Sequence, residues 1–272
     1  MSYIKVDNKN IYYSVLGSGK PILILNGIMM STKSWEPFVK SLTANNTLIR
    51  LDFFDQGESD KLDYSYTQKL QAKVIKSLFD HLKLDKVSIV GISYGGEVAL
   101  QFAVDYPDLV DRLILFSTTA YTSPFLKEIG RQWNEIGKSR NGATYYKATI
   151  PIIYSPSFYE HKLEWMKKRE EILIPIFSNE VFLNQMERLV NSAEDFDVRK
   201  DLNKITAPTL IVASDEDYLT PMQNQKYLAE NIKDANLVIL PGVGHASMYE
   251  TPLVFIALVL GFINALETNY NI

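Results

Sequence analysis

The sequence predicts an α/β protein: a mostly parallel central sheet with helices on both faces and a helical insertion late in the chain. Three observations carry that expectation. Short apolar runs alternate with segments of helical spacing through the first 118 residues. The alternation stops between about Thr119 and Leu202, then resumes at 208–213 and 236–240. Strands separated by helices need crossover connections, which place parallel strands in one sheet with both faces covered.

The elements follow in order. Residues 1–7 alternate as a strand does and contain no apolar signal-peptide core. Ile11 to Leu16 and Pro21 to Leu25 read as strands around the turn Gly17-Ser18-Gly19-Lys20. Trp35 to Leu42 has helical character with Ser34 as its N-cap, and residues 47–51 form a short strand. Tyr66 to Leu82 places Leu70, Val74, Leu78 and Phe79 on one helix face. Val87 to Val90 is a strand, Gly96 to Val104 a helix, and Arg112 to Phe116 a strand. The stretch 119–202 is rich in helix formers and aromatics and reads as short helices broken near Gly142, Pro151, Pro156 and Pro175. Strands are expected again at 208–213 and 236–240. The apolar run Leu253 to Ile263 is too short for a membrane span. It reads as a buried part of an amphipathic helix over 252–266. The resulting organisation is a core from 1–118 and 203–272 with an insertion over 119–202. The final strands are expected to return to the same sheet.

Composition bounds the function classes. Of 272 residues, 46% are hydrophobic and 22% charged, and the net charge is -4, so neither nucleic acid nor an anionic membrane surface is favoured as a partner. There is no cysteine, which excludes disulfides, a thiolate nucleophile and Cys-ligated zinc. A cytoplasmic location is expected, with a small molecule as the partner and no metal or other cofactor.

The chemistry begins at Gly91-Ile92-Ser93-Tyr94-Gly95-Gly96, a G-x-S-x-G stretch between a strand and a helix. A serine on so sharp a turn crowds its neighbours, so small residues are needed two before and two after it. The turn lifts the hydroxyl above the sheet edge, beside a helix N-terminus. A serine hydroxyl needs a base to act as a nucleophile. Of three histidines, His245 alone sits in a loop after the last strand, at the carboxyl edge that also presents Ser93. His81 lies near a helix end, where a solvated or dipole-stabilised role is expected, and His161 lies in the insertion, on a surface helix. The acid should follow another strand end. There Ser214-Asp215-Glu216-Asp217 offers three carboxylates that chemistry alone does not separate, each also readable as a solvated loop charge or a helix cap.

With these residues the chain resembles the α/β-hydrolases, in the capped branch of esterases and lactonases. The chain order Ser, Asp, His is the order of that fold. Ser214 to Pro221 matches the family's G-x-x-D-x-x-x-P segment with Ser214 for its first glycine, and so selects Asp217. Gly244-His245 and Glu250-Thr251-Pro252 match its G-H and E-x-P pair. Two departures are visible: Asn26 stands where the family often has the histidine of a His-Gly pair, and Gln56 stands at another common histidine position, within Asp52 to Ser59. The resemblance implies a triad of Ser93, Asp217 and His245, and an oxyanion hole from the backbone N–H groups of Ile28 and Tyr94. It implies acyl transfer on a carboxylic ester. A lactone, thioester or carbon–carbon bond substrate, or a slow-turnover ligand receptor, stands as the alternative. The relatives with an aspartate nucleophile are excluded by Ser93.

The insertion is expected to lie over the carboxyl edge as a cap. Most of its aromatics should pack onto the core. Trp133, Tyr154, Phe158 and Trp165, with Tyr145, are the candidates to line the pocket, and Met29 and Met30 add a pliable wall. A small to medium, largely apolar substrate is expected. Arg131, Arg140 or Lys147 would serve a carboxylate, although a solubilising role suits each.

Overall fold

The computed structural model describes residues 2–268; Met1 and residues 269–272, at the ends of the predicted 1–118 and 203–272 segments, lie outside the described residues. Eight strands form one sheet in the order β1-β2-β4-β3-β5-β6-β7-β8. They span β1 Ser2–Val6, β2 Lys9–Gly17, β3 Lys20–Leu25, β4 Asn46–Leu51, β5 Val87–Ile92, β6 Val110–Phe116, β7 Thr209–Ser214 and β8 Ala235–Leu240. β1 and β2 pair antiparallel, as do β2 and β4; every other pairing is parallel. The strands after the insertion do join the same sheet, β7 beside β6.

The apolar runs work on both faces because successive strand residues point to opposite sides. Leu23 and Leu25, Leu113 and Leu115, and Ile211 enter one core, with Val74, Leu78, Val98, Phe102 and Leu228. Their strand neighbours Ile22, Ile24, Ile114, Phe116 and Val212 enter the other, with Leu42, Phe255 and Val259. Thus α2 (Gln68–Leu82), α3 (Tyr94–Asp105) and α9 (Met222–Asn231) cover one face; α1 (Val39–Leu42) and α11 (Pro252–Asn264) cover the other.

Between β6 and β7 run five α-helices, α4 Pro124–Gly137, α5 Gly142–Thr149, α6 Pro156–His161, α7 Leu163–Phe177 and α8 Glu180–Ser192, and then a short 3-10 turn at Leu202–Lys204. Ser123, Asn141, Ser155 and Asn179 cap four of them by accepting backbone N–H bonds. Pro156 opens helix α6, where its missing N–H costs nothing, and Gly142 opens helix α5, where a Cβ would lie 2.2 Å from the Ile174 carbonyl oxygen. Pro175 does not break one: it sits in the last turn of α7, where little helix remains to disrupt.

Three further expectations need correction. The segment at Thr32–Phe38 is a 3-10 helix whose N-cap is Ser31, not Ser34. Ser34 is the third residue in, and its Oγ accepts the Ser31 N–H at 3.2 Å. The long helix starts at Gln68, after Thr67, rather than at Tyr66. The closing helix ends at Asn264 and is only half buried: Phe255, Val259 and Ile263 form its inner stripe, whereas Leu253 on the opposite face is 80% exposed. No helix among the described residues is long and apolar enough to cross a membrane.

Candidate active site

Ser93 sits at the end of β5 with φ 53° and ψ -122°, a conformation non-glycine residues avoid. Its surroundings impose that geometry. Its N–H bonds to the Phe116 carbonyl at 3.0 Å, and its own carbonyl accepts the Thr118 hydroxyl at 2.9 Å. The flanking glycines are demanded by contact: a Cβ on Gly91 would lie 2.7 Å from the Gly96 Cα, and one on Gly95 2.6 Å from the Asn26 carbonyl. Helix α3 can therefore pack tightly against β5 and β3, which leaves the Ser93 hydroxyl at the cavity above.

His245 lies in the loop after β8, and its Nε2 is 2.9 Å from Ser93 Oγ. Its Nδ1 is 2.8 Å from Asp217 Oδ2. The buried carboxylate only accepts, so the imidazole proton sits on Nδ1 and Nε2 is free to accept the serine proton. Asp217 also accepts the N–H groups of Leu219 and Thr220 and the Thr220 hydroxyl, each within 2.9 Å. Burial alone pushes its carboxyl up, but the imidazole and the Thr220 donors outweigh that and hold it below the usual carboxylate range. The structure separates the three acids. Asp215 is spent on the Gly242 N–H at 2.7 Å, Glu216 bonds through its own N–H to Val243, and Asp217 alone reaches the imidazole. Asp217 caps no helix, since α9 begins five residues later behind Pro221. The other histidines stay apart: exposed His81 meets Tyr13, and exposed His161 meets Ser157 of its own helix.

Opposite His245 runs the segment after β3. Gly27, Ile28, Ser93 and Tyr94 border one cavity of about 160 Å³. The orientation of the Gly27–Ile28 peptide is set from behind. The Gly27 carbonyl accepts the Gln56 side-chain N–H at 3.0 Å and the Met30 N–H at 3.1 Å, so the Ile28 N–H on the same planar peptide points the other way. Gln56 is in turn held by Asn26, whose amide donates to Gln56 Oε1 at 3.0 Å and to the Leu51 carbonyl at 2.9 Å. The Trp35 indole donates to Asn26 Oδ1 at 2.7 Å. Asp52 receives the Thr32 and Glu58 N–H groups, while burial pushes its carboxyl up. Asn26 and Gln56, the two departures from the family pattern, hydrogen-bond each other, and both are buried, as is Asp52.

Met29, Met30, Trp133 and Tyr154 line the cavity, as expected. Phe158 and Trp165 do not. They form a cluster behind Tyr154 with ring centroids 5.5 and 5.7 Å from it, and Trp165 faces an outer groove instead. Tyr145 is packed on Phe177. Of the basic residues weighed, Arg131 borders the cavity but pairs with Glu128 and Glu194; Arg140 bonds to Asn184. Sequence reasoning missed Glu97, Arg169, Leu219 and Tyr249 in the wall. Glu97 had a signal, as the one carboxylate inside the apolar run from Val87 to Val104. Arg169 had none, being one of several charges in Lys167 to Glu171.

A model of the alpha/beta hydrolase fold matches residues 20–252. The crystal structure of MGS-M2, an alpha/beta hydrolase enzyme from a Medee basin deep-sea metagenome library, is 51% identical over the full length of both chains with a TM-score of 0.98. The enol-lactonase from Burkholderia xenovorans LB400 shares the fold at 21% identity over 97% of this chain and 100% of its own, with a TM-score of 0.83. A protein of Azorhizobium caulinodans named "Putative carbamate hydrolase RutD" is 25% identical over 98% of this chain and 100% of its own. The chain belongs to the α/β-hydrolase fold family.

Proposed function

We propose that this hydrolase is a serine esterase that cleaves carboxylic esters of small to medium, largely apolar substrates through an acyl-enzyme. The observation that carries the reading is the continuous chain from Ser93 Oγ to His245 Nε2 at 2.9 Å and from Nδ1 to buried Asp217 at 2.8 Å. In the proposed reaction Ser93 Oγ attacks the ester carbonyl as its proton passes to Nε2. The oxyanion forms against the N–H groups of Ile28 and Tyr94, two donors preset by backbone geometry; each such donor is worth about 3 kcal/mol in a transition state. The imidazolium, held by Asp217, returns its proton to the departing alkoxide. Water then repeats the sequence on the acyl-enzyme and frees Ser93.

The helices α4 to α8 act in this reading as a cap. They and the connection between α5 and α6 supply Leu126, Trp133, Phe177 and Tyr154 to the cavity wall, which favours apolar acyl and alcohol groups. A fluorophosphonate should label Ser93, and p-nitrophenyl esters of short to medium chain should be hydrolysed. Ser93→Ala should lose both, with kcat falling by about 10⁴-fold or more. Full ester hydrolysis by that variant would end the assignment. The similarity to a protein named for carbamate hydrolysis supports a second reading, in which the same residues cleave a carbamate. Turnover of aryl carbamates with little turnover of matched esters would favour it.

A further inference from the structure

Lys127, Arg131 and Arg169 all border the active-site cavity, but only the first two have carboxylate partners. Lys127 pairs with Asp195 at 3.5 Å, and Arg131 pairs with Glu128 and Glu194. Arg169, on α7, has no ion pair among the described residues, and its place in the helix explains why. Ion pairs on one helix form between residues three or four apart, as Glu164 and Lys167 do on α7 itself. From Arg169 those spacings reach only Trp165, Met166, Ile172 and Leu173, all uncharged. The carboxyl groups of the wall are engaged elsewhere: Glu194 pairs with Arg131, and Glu97 accepts the Gln68 amide. Arg169 is nonetheless held in place by rings. Its guanidinium carbon lies 5.6 Å from the Trp165 ring centroid and 5.0 Å from that of Tyr249. Burial pushes the Tyr154 phenol up, and the neighbouring guanidinium eases it back. Nε is buried without a partner, and no carboxylate or carbonyl among the described residues accepts from the terminal nitrogens. The side chain is only half buried and also borders an outer groove of about 980 Å³, so it stands where groove and cavity meet. A cation fixed by aromatic rings at the edge of a mostly apolar cavity, with no counter-charge from the protein, is placed to take one from a ligand.

We propose that Arg169 is a recognition site for a carboxylate at the far end of the substrate, separate from the scissile ester. The substrate class is then an ester with a hydrocarbon body and a single terminal carboxylate. This rests on the esterase reading of Ser93 and narrows its substrate class. One guanidinium balances one negative charge, and its planar fork matches the two oxygens of a carboxylate. The apolar walls take the hydrocarbon between Ser93 and Arg169. At the boundary with the groove the carboxylate keeps part of its hydration, so binding avoids the full cost of burying a charge.

The test uses the purified enzyme and two sets of esters, each pairing a carboxylate with its uncharged primary amide of nearly the same shape. One set varies the acyl side: mono-p-nitrophenyl esters of adipic, pimelic and suberic acids against their terminal amides. The other varies the alcohol side: 4-(butanoyloxymethyl)benzoate against 4-(butanoyloxymethyl)benzamide. Each kcat/KM is normalised to hydrolysis by hydroxide at the same ionic strength. In at least one pair the carboxylate should be preferred about 10- to 100-fold, the range of hydrogen bonds to charged groups. The preference should lie in KM, because Arg169 binds a group remote from the reacting atoms. Arg169→Met should abolish it. Arg169→Lys, which keeps the charge but loses the fork, should keep part of it. Fluorophosphonate labelling of Ser93 monitors the site in every variant. A wild-type ratio near one or below in every pair, or a carboxylate preference that Arg169→Met leaves intact, overturns the proposal. If Ser93 is labelled and the amides turn over as well as the carboxylates, this inference alone fails. If no ester is hydrolysed and no label is taken up, the esterase reading fails and this inference with it.

Discussion

A carboxyl group that stays protonated inside a protein leaves a mark on stability, and Glu97 makes that mark measurable. Its folded value of about 8 lies above the ordinary value of 4.5. Below pH 4.5 it is protonated in both folded and unfolded chains and contributes no pH dependence. Between the two values the unfolded chain releases the proton and the folded chain keeps it, so stability falls as pH rises, and the full penalty stands above pH 8. Glu97→Gln keeps the shape and removes the titration. It should therefore melt several degrees above the parent at pH 8, with the difference closing towards pH 4.5, as read by calorimetry across pH. An unchanged gap between pH 5 and 8 would show that Glu97 is charged in the folded protein. Gln56 is a second residue with a distinct signature, because it touches the Gly27 carbonyl rather than the cavity contents. Gln56→Leu should free the Gly27–Ile28 peptide to rotate. The expected loss is about 10²-fold in kcat, the scale of a missing oxyanion donor, with KM little changed. A rise in KM at constant kcat would place Gln56 in substrate binding instead.

At the scale of elements, what holds the His245 loop is a carboxylate in a neighbouring helix. Glu250, in the short helix α10 (Ser247–Glu250), accepts the Gly244 N–H beside His245 at 3.1 Å. Through its two oxygens it also accepts the Ser155 N–H at 2.9 Å and hydroxyl at 2.7 Å. A third tie joins the Ala246 N–H to the Ile153 carbonyl at 3.1 Å. The His245 loop is thus fastened to the start of α6, inside the insertion. Glu250→Ala removes three acceptor contacts at once and should cost about 2–4 kcal/mol of stability, with a fall in kcat as His245 loses its register. Melting and single-turnover acylation, run together, separate the two effects. The Glu250-Thr251-Pro252 motif was legible in the sequence as a match, but its partner Ser155 was not, because 95 residues separate them and nothing local to either announces the contact. The same distinction runs through the site. Ser93 and its glycines were readable because the turn imposes small neighbours in sequence. His245 was readable because so few histidines compete. Asp217 needed the resemblance, since the bond that separates it from Asp215 and Glu216 is formed only after folding. Phe158 and Trp165 went astray because an aromatic at helical spacing does not say which side of its helix meets the cavity.

For the whole molecule, the question is whether the insertion melts apart from the sheet that carries it. The packing argues against separation. Insertion residues Tyr145, Tyr146, Phe177 and Leu183 share one core with Ile24, Trp35 and Phe116 of the sheet side. Met186, Leu189, Phe196 and Val198 belong to the other core, with Phe53 and Tyr94. Polar ties reinforce both. Arg188 of α8 makes a two-pronged ion pair with Asp55, Nη2 to Oδ1 at 2.6 Å, and the Asp55 side chain is fully buried. Asp55 itself stands at φ 66°, so this loop is bent to meet the arginine. Removing one partner of such a pair leaves a buried charge and typically costs 3–5 kcal/mol. The three tryptophans are well placed as reporters, with Trp35 against the sheet and Trp133 and Trp165 in the insertion. A variant keeping Trp35 alone and one keeping only Trp133 and Trp165, the others replaced by Phe, should each unfold in urea at the midpoint that far-UV circular dichroism gives for that same protein. Adding Arg188→Ala to the pair should lower every midpoint. It should also move the insertion reporter ahead of the backbone signal, since Asp55 then becomes the unpaired charge that opening the insertion would hydrate. Separate midpoints before that substitution would mean that the insertion is a second folding unit; coincident ones after it would mean that the shared cores alone hold the insertion in place.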